Sequence, residues 1–146
     1  MEKEVVYITK HAKKQVEITL MINPMGAVRT TRKGKHTDRA KKYHDWMNTV
    51  QWLYRKALLD LCLPTKALPD GVIDYIEFGI EVGKTTAKRI GNPHTIKPDW
   101  DNLSKAVLDA IFYEKDIDDC TIHTVGGVKK LWVARGGGYI RMLFCV

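Results

Sequence analysis

The stretch KPDWDNLSKAVLDAI, residues 97–111, predicts a helix and places two closely spaced acids at its start. Pro98 disfavours a helical backbone at the residue before it, so the helix begins only after the proline. Asp99 is then a natural N-cap residue, and Asp101 falls in the first turn, where free N–H groups favour negative charge. The apolar side chains of one face recur at helical spacing: Leu103, Val107, Ala110 and Ile111. The stretch therefore predicts an amphipathic helix with an acidic first turn.

The other face of this helix is polar and carries Asp101, Lys105 and Asp109. Lys105 follows Asp101 at i+4, so the two side chains share one side of the helix. A second acidic pair, Asp118 and Asp119, follows where the chain returns towards the sheet. Helix capping explains the first pair adequately, but carboxylates held together repel one another unless a cation neutralises them. A set of oxygen ligands alone favours Mg²⁺ or Mn²⁺.

The surrounding elements predict an α+β fold. Alternating residues predict strands over 16–22 and 76–82, and helical spacing predicts a helix over 39–62. Residues 121–133 and 138–146 are predicted as two strands joined in a hairpin by residues 134–137. The order strand-helix-strand-helix-strand-strand is typical of a small mixed β-sheet with two main helices packed on one face.

Length and composition indicate one soluble domain. The chain of 146 residues is long enough for a single core, so one domain is expected over residues 1–146. No apolar run reaches the length of a membrane span, and the first residues lack the layout of a signal peptide. The three cysteines fit neither a zinc site nor a disulfide framework, so a reducing cytoplasm is expected.

The net charge of +7 is distributed unevenly. Residues 29–42 contain seven Lys/Arg and one acid, residues 84–97 contain four Lys/Arg and no acid, and residues 99–119 contain seven acids against two lysines. A single charged run is usually a solvated face, but basic segments on both sides of an acidic one suit a polyanion that approaches the acids through a metal ion. The predicted DNA-contacting residues are Arg29, Arg32, Lys33, Lys35, Arg39, Lys84, Lys88, Arg89 and Lys97.

Residues 97–111, followed by KDIDDCTI, resemble the RusA family of Holliday junction resolvases. The family pattern is Asp-x-Asp-Asn-x-x-Lys on a helix, then Asp-Asp leading into a strand. The matching positions are Asp99, Asp101, Asn102, Lys105, Asp118 and Asp119. The resemblance is specific over residues 97–129, looser over INPMGAVRTTRKGKHTD and weak over 39–62. It implies a small α+β homodimer that binds branched DNA and nicks symmetrical strands of four-way junctions, with Mg²⁺ as cofactor and Mn²⁺ as a substitute.

The resemblance also implies the roles of individual residues. Asp99, Asp101 and Asp119 would be the metal ligands, and Lys105 the active-site lysine; these four form the predicted catalytic set. The role of Asp118 is left open: it could be a fourth ligand, a residue that contacts the ligands rather than the metal, or a turn residue. Trp100 stands where an aliphatic residue is common in the family, and residues 63–71 form a longer connection than expected. Both departures bear on substrate preference.

Two other functional classes remain open. A non-catalytic protein that binds branched DNA would use the acids only as helix caps. A metal phosphohydrolase acting on nucleotides would not need eleven basic residues in two segments. The histidines His36, His94 and His123 are predicted at the surface or facing DNA, since an all-oxygen site does not require them. Trp46 is predicted in the core or at a dimer interface, whereas Trp52 falls off the apolar stripe of its helix.

Overall fold

The fold is α+β, as predicted, and the described residues form two α-helices and five strands where four strands were expected. The structure is a computed structural model that describes residues 14–29 and 37–146. The elements in chain order are β1 (Gln15–Leu20), α1 (Asp38–Asp60), β2 (Val72–Glu81), α2 (Trp100–Ile111), β3 (Thr124–Val125), β4 (Val128–Val133) and β5 (Tyr139–Cys145). One-turn 3₁₀ helices cover Ala87–Arg89 and Asp119–Thr121. Among the residues described, no helix is long and apolar enough to span a bilayer.

The sheet is mixed, and its longest strand, β2, lies in its interior. Its order is β1-β5-β2-β3, and β4 also pairs with β2. The strand β5 is antiparallel to both β1 and β2, whereas β3 and β4 run parallel to β2. The predicted hairpin is therefore wrong, because β2 lies between β4 and β5 in the described sheet. The turn itself forms, with the Gly137 N–H donating to the Ala134 carbonyl at 3.0 Å. Alternation identifies a strand's two faces but not its neighbour.

The predicted strand over 121–133 is divided into a 3₁₀ turn and two short strands. Gly126 and Gly127 separate β3 from β4. A Cβ atom at Gly126 would lie 2.5 Å from the backbone oxygen of Asp74, so the two backbones approach too closely for a side chain. β2 begins at Val72, earlier than predicted, because its first residues pair with β3.

The core lies between the helices and one face of the sheet. β1 buries every second residue, which leaves its other face exposed. The buried stripe of α1 follows helical spacing: Ala40, Tyr43, Trp46, Val50, Tyr54 and Leu58. Thr37 is the N-cap residue of the helix, and its side chain accepts a hydrogen bond from the Ala40 N–H at 3.2 Å. α1 packs against α2 and β1, and α2 also contacts β4, so the core fixes α2 relative to the sheet.

Trp46 was predicted in the core or at a dimer interface, and it lies in the core. It also links α1 to the loop after β1. Its indole N–H donates to the Asn23 carbonyl at 2.9 Å. The side chain of Asn23 accepts a hydrogen bond from the Glu81 N–H at 3.0 Å. A Cβ atom at Gly138 would lie 2.6 Å from the Asn23 Cα. Asn23 therefore joins α1, the end of β2 and the start of β5.

We expect Trp46→Phe to lower the free energy of unfolding by about 1–3 kcal/mol, because it leaves the Asn23 carbonyl without its indole donor while keeping an aromatic ring in the core. Urea denaturation measures the loss. Trp52→Phe is the matched control: Trp52 lies on the same helix but is 59% exposed, so its change should stay within about 0.5 kcal/mol. Equal losses in the two variants would contradict this role for the hydrogen bond.

Candidate active site along helix α2

Asp99 occupies the N-cap position of α2, but its side chain makes no capping hydrogen bond to the described residues. Its backbone is extended, with φ −70° and ψ 156°, and its carboxylate accepts no capping hydrogen bond from the described N–H groups of the helix. The N-cap of α1 does make such a bond through Thr37. The side chains of Asp99 and Asp101 are both exposed. Helix capping alone therefore does not account for the carboxylate of Asp99.

A first groove, of about 540 Å³, contains this acidic pair. Its lining combines acidic, basic, amide and apolar residues: Met25, Gly26, Arg39, Lys97, Pro98, Asp99, Asp101 and Asn102. The Ala27 N–H donates to the Asn102 carbonyl at 3.3 Å, which holds the loop after β1 against α2. A Cβ atom at Gly26 would lie 2.5 Å from Asn102 Nδ2, so the glycine lets the loop approach this amide.

A second groove, also of about 540 Å³, contains the other acidic pair. It is lined in part by Tyr43, Asp109, Asp118 and Asp119. Asp118 caps the 3₁₀ turn by accepting a hydrogen bond from the Cys120 N–H at 3.3 Å. A hydrogen bond with the Asp118 carboxyl, partial burial and a hydrogen bond with Asp109 raise the pKa of Asp119 to about 6. The same bond lowers the pKa of Asp118, so Asp118 ionises before Asp119 as the pH rises.

The polar face of α2 runs from one groove to the other. Asp101, Lys105 and Asp109 follow at i, i+4 and i+8, and the ammonium of Lys105 lies 3.2 Å from Asp109 Oδ1. Its positive charge also favours the ionised forms of Asp118 and Asp119. The helical rise separates Asp101 from Asp109 by about 12 Å along the axis. The structure thus joins Lys105 to Asp119 through Asp109 and places Asp99 and Asp101 nearer the start of the helix.

The predicted ligand set fits a hard divalent cation by its chemistry but is divided between the two grooves. Every predicted donor is a carboxylate oxygen, the ligand type that Mg²⁺ and Mn²⁺ prefer. Within residues 14–29 and 37–146, no group of three or more His, Cys, Asp or Glu side chains is gathered closely enough to hold a metal ion. The metal roles of Asp99, Asp101, Asp119 and Asp118 therefore stay predictions.

The predicted DNA-contacting residues that the structure describes are exposed: Arg29, Arg39, Lys84, Lys88, Arg89 and Lys97. Arg39 and Lys97 line the first groove beside the acids. Arg89 instead lies 5.7 Å from the ring centre of Trp132. The remaining three, Arg32, Lys33 and Lys35, lie outside the described residues, as does His36.

Sequence reasoning assigned no functional role to two residues that line the second groove, Asp109 and Tyr43. Asp109 had a detectable signal, since it follows Lys105 at i+4, but its contact with Asp119 is long-range. The Tyr43 hydroxyl is buried with no hydrogen-bond partner among the described residues, and burial raises its pKa to about 12. His94 lies outside both grooves and was predicted at the surface or facing DNA; the surface position is wrong, because the residue packs against Trp132 and is 4% exposed, and contact with DNA stays a prediction. His123 is exposed, as predicted.

Comparison with known proteins identifies the family. The family model described as endodeoxyribonuclease RusA matches residues 21–142, from the loop after β1 into β5. A search of curated proteins found no match. The family match includes α2, both grooves and the two acidic pairs, and it covers most of the chain. The chain therefore belongs to the RusA family of endodeoxyribonucleases, as the motif around α2 predicted.

Proposed function

We propose that the protein is a Mg²⁺-dependent, structure-specific endodeoxyribonuclease that resolves four-way DNA junctions by paired symmetrical nicks. The observation that carries the proposal is the polar face of α2, where Asp101, Lys105 and Asp109 connect two acidic grooves in a chain of an endodeoxyribonuclease family. The proposed setting is recombination, repair or phage DNA processing in the cytoplasm of a bacterial or phage-infected cell.

The carboxylates of Asp99, Asp101 and Asp119 would hold Mg²⁺, or Mn²⁺ as a substitute, and Asp118 is the candidate fourth ligand. A bound divalent ion activates water and stabilises the charge that develops on a phosphate oxygen. Lys105 would meet the scissile phosphate or orient water with its ammonium group. Asp109, 3.2 Å from that ammonium, holds it on the side of α2 that carries the acids.

The basic residues around the grooves would hold the DNA arms through their phosphates, with little contact to bases in the duplex. Arg39 and Lys97 support this role, because they are exposed and line the same groove as Asp99 and Asp101. A homodimer with two-fold symmetry would suit a junction that has two equivalent strands to cut.

One observation favours the alternative of a non-catalytic protein that binds branched DNA. The predicted ligands are not gathered at one point among the residues that the structure describes. Against it, Asp99 makes no capping bond to the described N–H groups of α2, so its carboxylate does not serve as a hydrogen-bonding cap. The alternative predicts junction binding without metal-dependent cleavage.

We expect four-way DNA to be cut in the presence of Mg²⁺ and not in EDTA, and Asp101→Asn to reduce cleavage by about 100-fold or more. The substitution keeps the size of the side chain and removes its charge, so junction binding should stay close to that of the wild type. Labelled four-way, forked and linear DNA would be compared in the assay. Asp45→Asn, a change at an exposed acid on α1, is the control. Wild-type cleavage by Asp101→Asn would contradict the role of this carboxylate.

Lys105→Ala should separate a chemical role of the lysine from a structural one. The Lys105 side chain is 63% exposed, so loss of its pair with Asp109 should change the free energy of unfolding by less than about 1 kcal/mol. Single-turnover cleavage should fall by a far larger factor, because the ammonium would act at the phosphate. Thermal melting and cleavage would be measured on the same sample, beside Lys56→Ala. Activity lost only in proportion to stability would make Lys105 structural.

The double variant Arg39→Gln/Lys97→Gln should weaken binding to all duplex-containing DNA. We expect the slope of log affinity against log salt concentration to flatten by about 0.9 for each phosphate that the variant no longer binds. Binding would be measured on four-way and linear DNA with Ca²⁺ in place of Mg²⁺. An unchanged slope would show that the two residues do not contact phosphates, and weaker binding confined to four-way DNA would show that they recognise junction shape.

A further inference from the structure

A separate pocket lies at the start of α2, and the proposed function assigns it no role. It measures about 370 Å³ and is lined by His94, Trp100, Val128 and Lys130. Trp100 stands between Asp99 and Asp101 in the sequence but does not share the lining of their groove. Its side chain is 53% exposed, which is unusual for a residue of this size and apolar character. The pocket thus combines an accessible indole with a buried imidazole.

His94, which lines the pocket, carries a ring nitrogen without a hydrogen-bond partner among the described residues. The residue is 4% exposed, and its ring centre lies 4.2 Å from that of Trp132. Its Nδ1 is buried without a hydrogen bond to another residue among those described. Burial lowers the pKa of His94, so the ring is neutral at physiological pH and offers one donor and one acceptor nitrogen. A buried polar atom without a partner costs free energy that a hydrogen-bonding ligand would recover.

The walls of the pocket are held in place by β4. The ammonium of Lys130 donates to the carbonyls of Ile96 and Pro98, at 3.0 Å and 2.8 Å. The backbone carbonyl of Lys130 accepts the His94 N–H at 3.0 Å. These bonds hold residues 94–98 along the strand and leave the space beside Trp100 open. The pocket is therefore formed before any ligand binds.

The pocket suits a flat aromatic group attached to a polyanion, because its lining includes an exposed indole and the segment that leads into it is basic. Residues 84–97, which lead into the pocket, contain four basic residues and no acid. Arg89 lies 5.7 Å from the ring of Trp132, the same ring that supports His94. A nucleobase in single-stranded DNA combines a flat face for stacking, an edge for hydrogen bonding and an adjacent phosphate.

We propose that this Trp100 pocket binds an unpaired nucleobase of the DNA strand that crosses the start of α2. Trp100 stacks on the base, and His94 forms a hydrogen bond with its edge. The inference rests on the proposed function, because it takes the strand at Asp99 and Asp101 to be DNA. A phosphate near these acids brings a neighbouring base of the same strand to Trp100. Bases at the branch point of a junction are the ones available to leave the duplex stack.

Binding in EDTA tests the pocket without any cleavage. The probes are a single-stranded oligonucleotide and a four-way junction with the fluorescent base 2-aminopurine at the branch point. Wild-type protein should change the 2-aminopurine fluorescence by stacking. Trp100→Ala should abolish that change and weaken single-strand binding by about fivefold or more, whereas Trp100→Phe should retain most of both. Trp52→Ala, at a comparably exposed tryptophan on α1, should behave as wild type.

A second variant tests the hydrogen bond separately from the stacking. His94→Phe keeps a ring against Trp132 but removes both nitrogen atoms. It should preserve the fluorescence change and alter the relative affinity for oligonucleotides that differ only in the base under study. Thermal melting establishes that each variant is folded. Unchanged base preference in a folded His94→Phe protein would overturn the role of His94.

The outcomes also separate this inference from the proposed nuclease. Wild-type single-strand binding and fluorescence in Trp100→Ala, or an equal loss in Trp52→Ala, would overturn the pocket even if the protein cuts junctions with Mg²⁺. A specific loss in Trp100→Ala would support the pocket even if the wild-type protein cuts nothing. A change of sedimentation behaviour in Trp100→Ala, with DNA binding retained, would assign the exposed indole to a contact between two copies and overturn the proposal.

Discussion

The burial of one face of α2 is the constraint on which the rest of the site depends. Leu103, Ala106, Val107 and Ala110 are all 0% exposed, so the helix cannot rotate without exposing its apolar stripe. Burial of a large apolar side chain is worth about 1.5–3 kcal/mol, whereas an exposed ion pair contributes up to about 1 kcal/mol. The apolar stripe therefore sets the direction of the polar face. Asp101, Lys105 and Asp109 lie on the polar face because the opposite side of their helix is in the core, and Asp101 and Asp109 line the two grooves.

Two loops then reach the fixed helix from different parts of the sheet. The loop after β1 is held by the backbone bond from Ala27 to Asn102, with Gly26 against the Asn102 amide. The segment before α2 is held to β4 by Lys130. The asparagine of the Asp-x-Asp-Asn motif thus has a packing role beside the acids. Its amide packs against Gly26 in the lining of the groove that also contains Arg39 and Asp99.

Local signals in the sequence predicted the helices and the acidic pairs, whereas contacts between distant elements were missed. The face of α2 follows from apolar spacing within 12 residues, which a sequence displays directly. The position of β2 between β4 and β5 could not be predicted in this way, because the alternation of residues in a strand shows which face is buried and not which strand is its neighbour. The interaction between Asp109 and Asp119 and the burial of His94 depend on how elements distant in the sequence pack together.

The weakness of the pair between Lys105 and Asp109 suits the role proposed for the lysine. Its partners lie 3.2 Å apart, but the lysine side chain is 63% exposed, so water screens their attraction. A buried pair would keep the ammonium from a phosphate. If the ammonium left, the carboxylate of Asp109 would remain as an unpaired charge in the protein interior, which is costly. An exposed pair keeps the ammonium on the acidic side of α2, and in the proposed role the ammonium would transfer to a phosphate oxygen, where a charge-assisted hydrogen bond would replace the one it leaves. The same helix face thus positions the lysine without immobilising it.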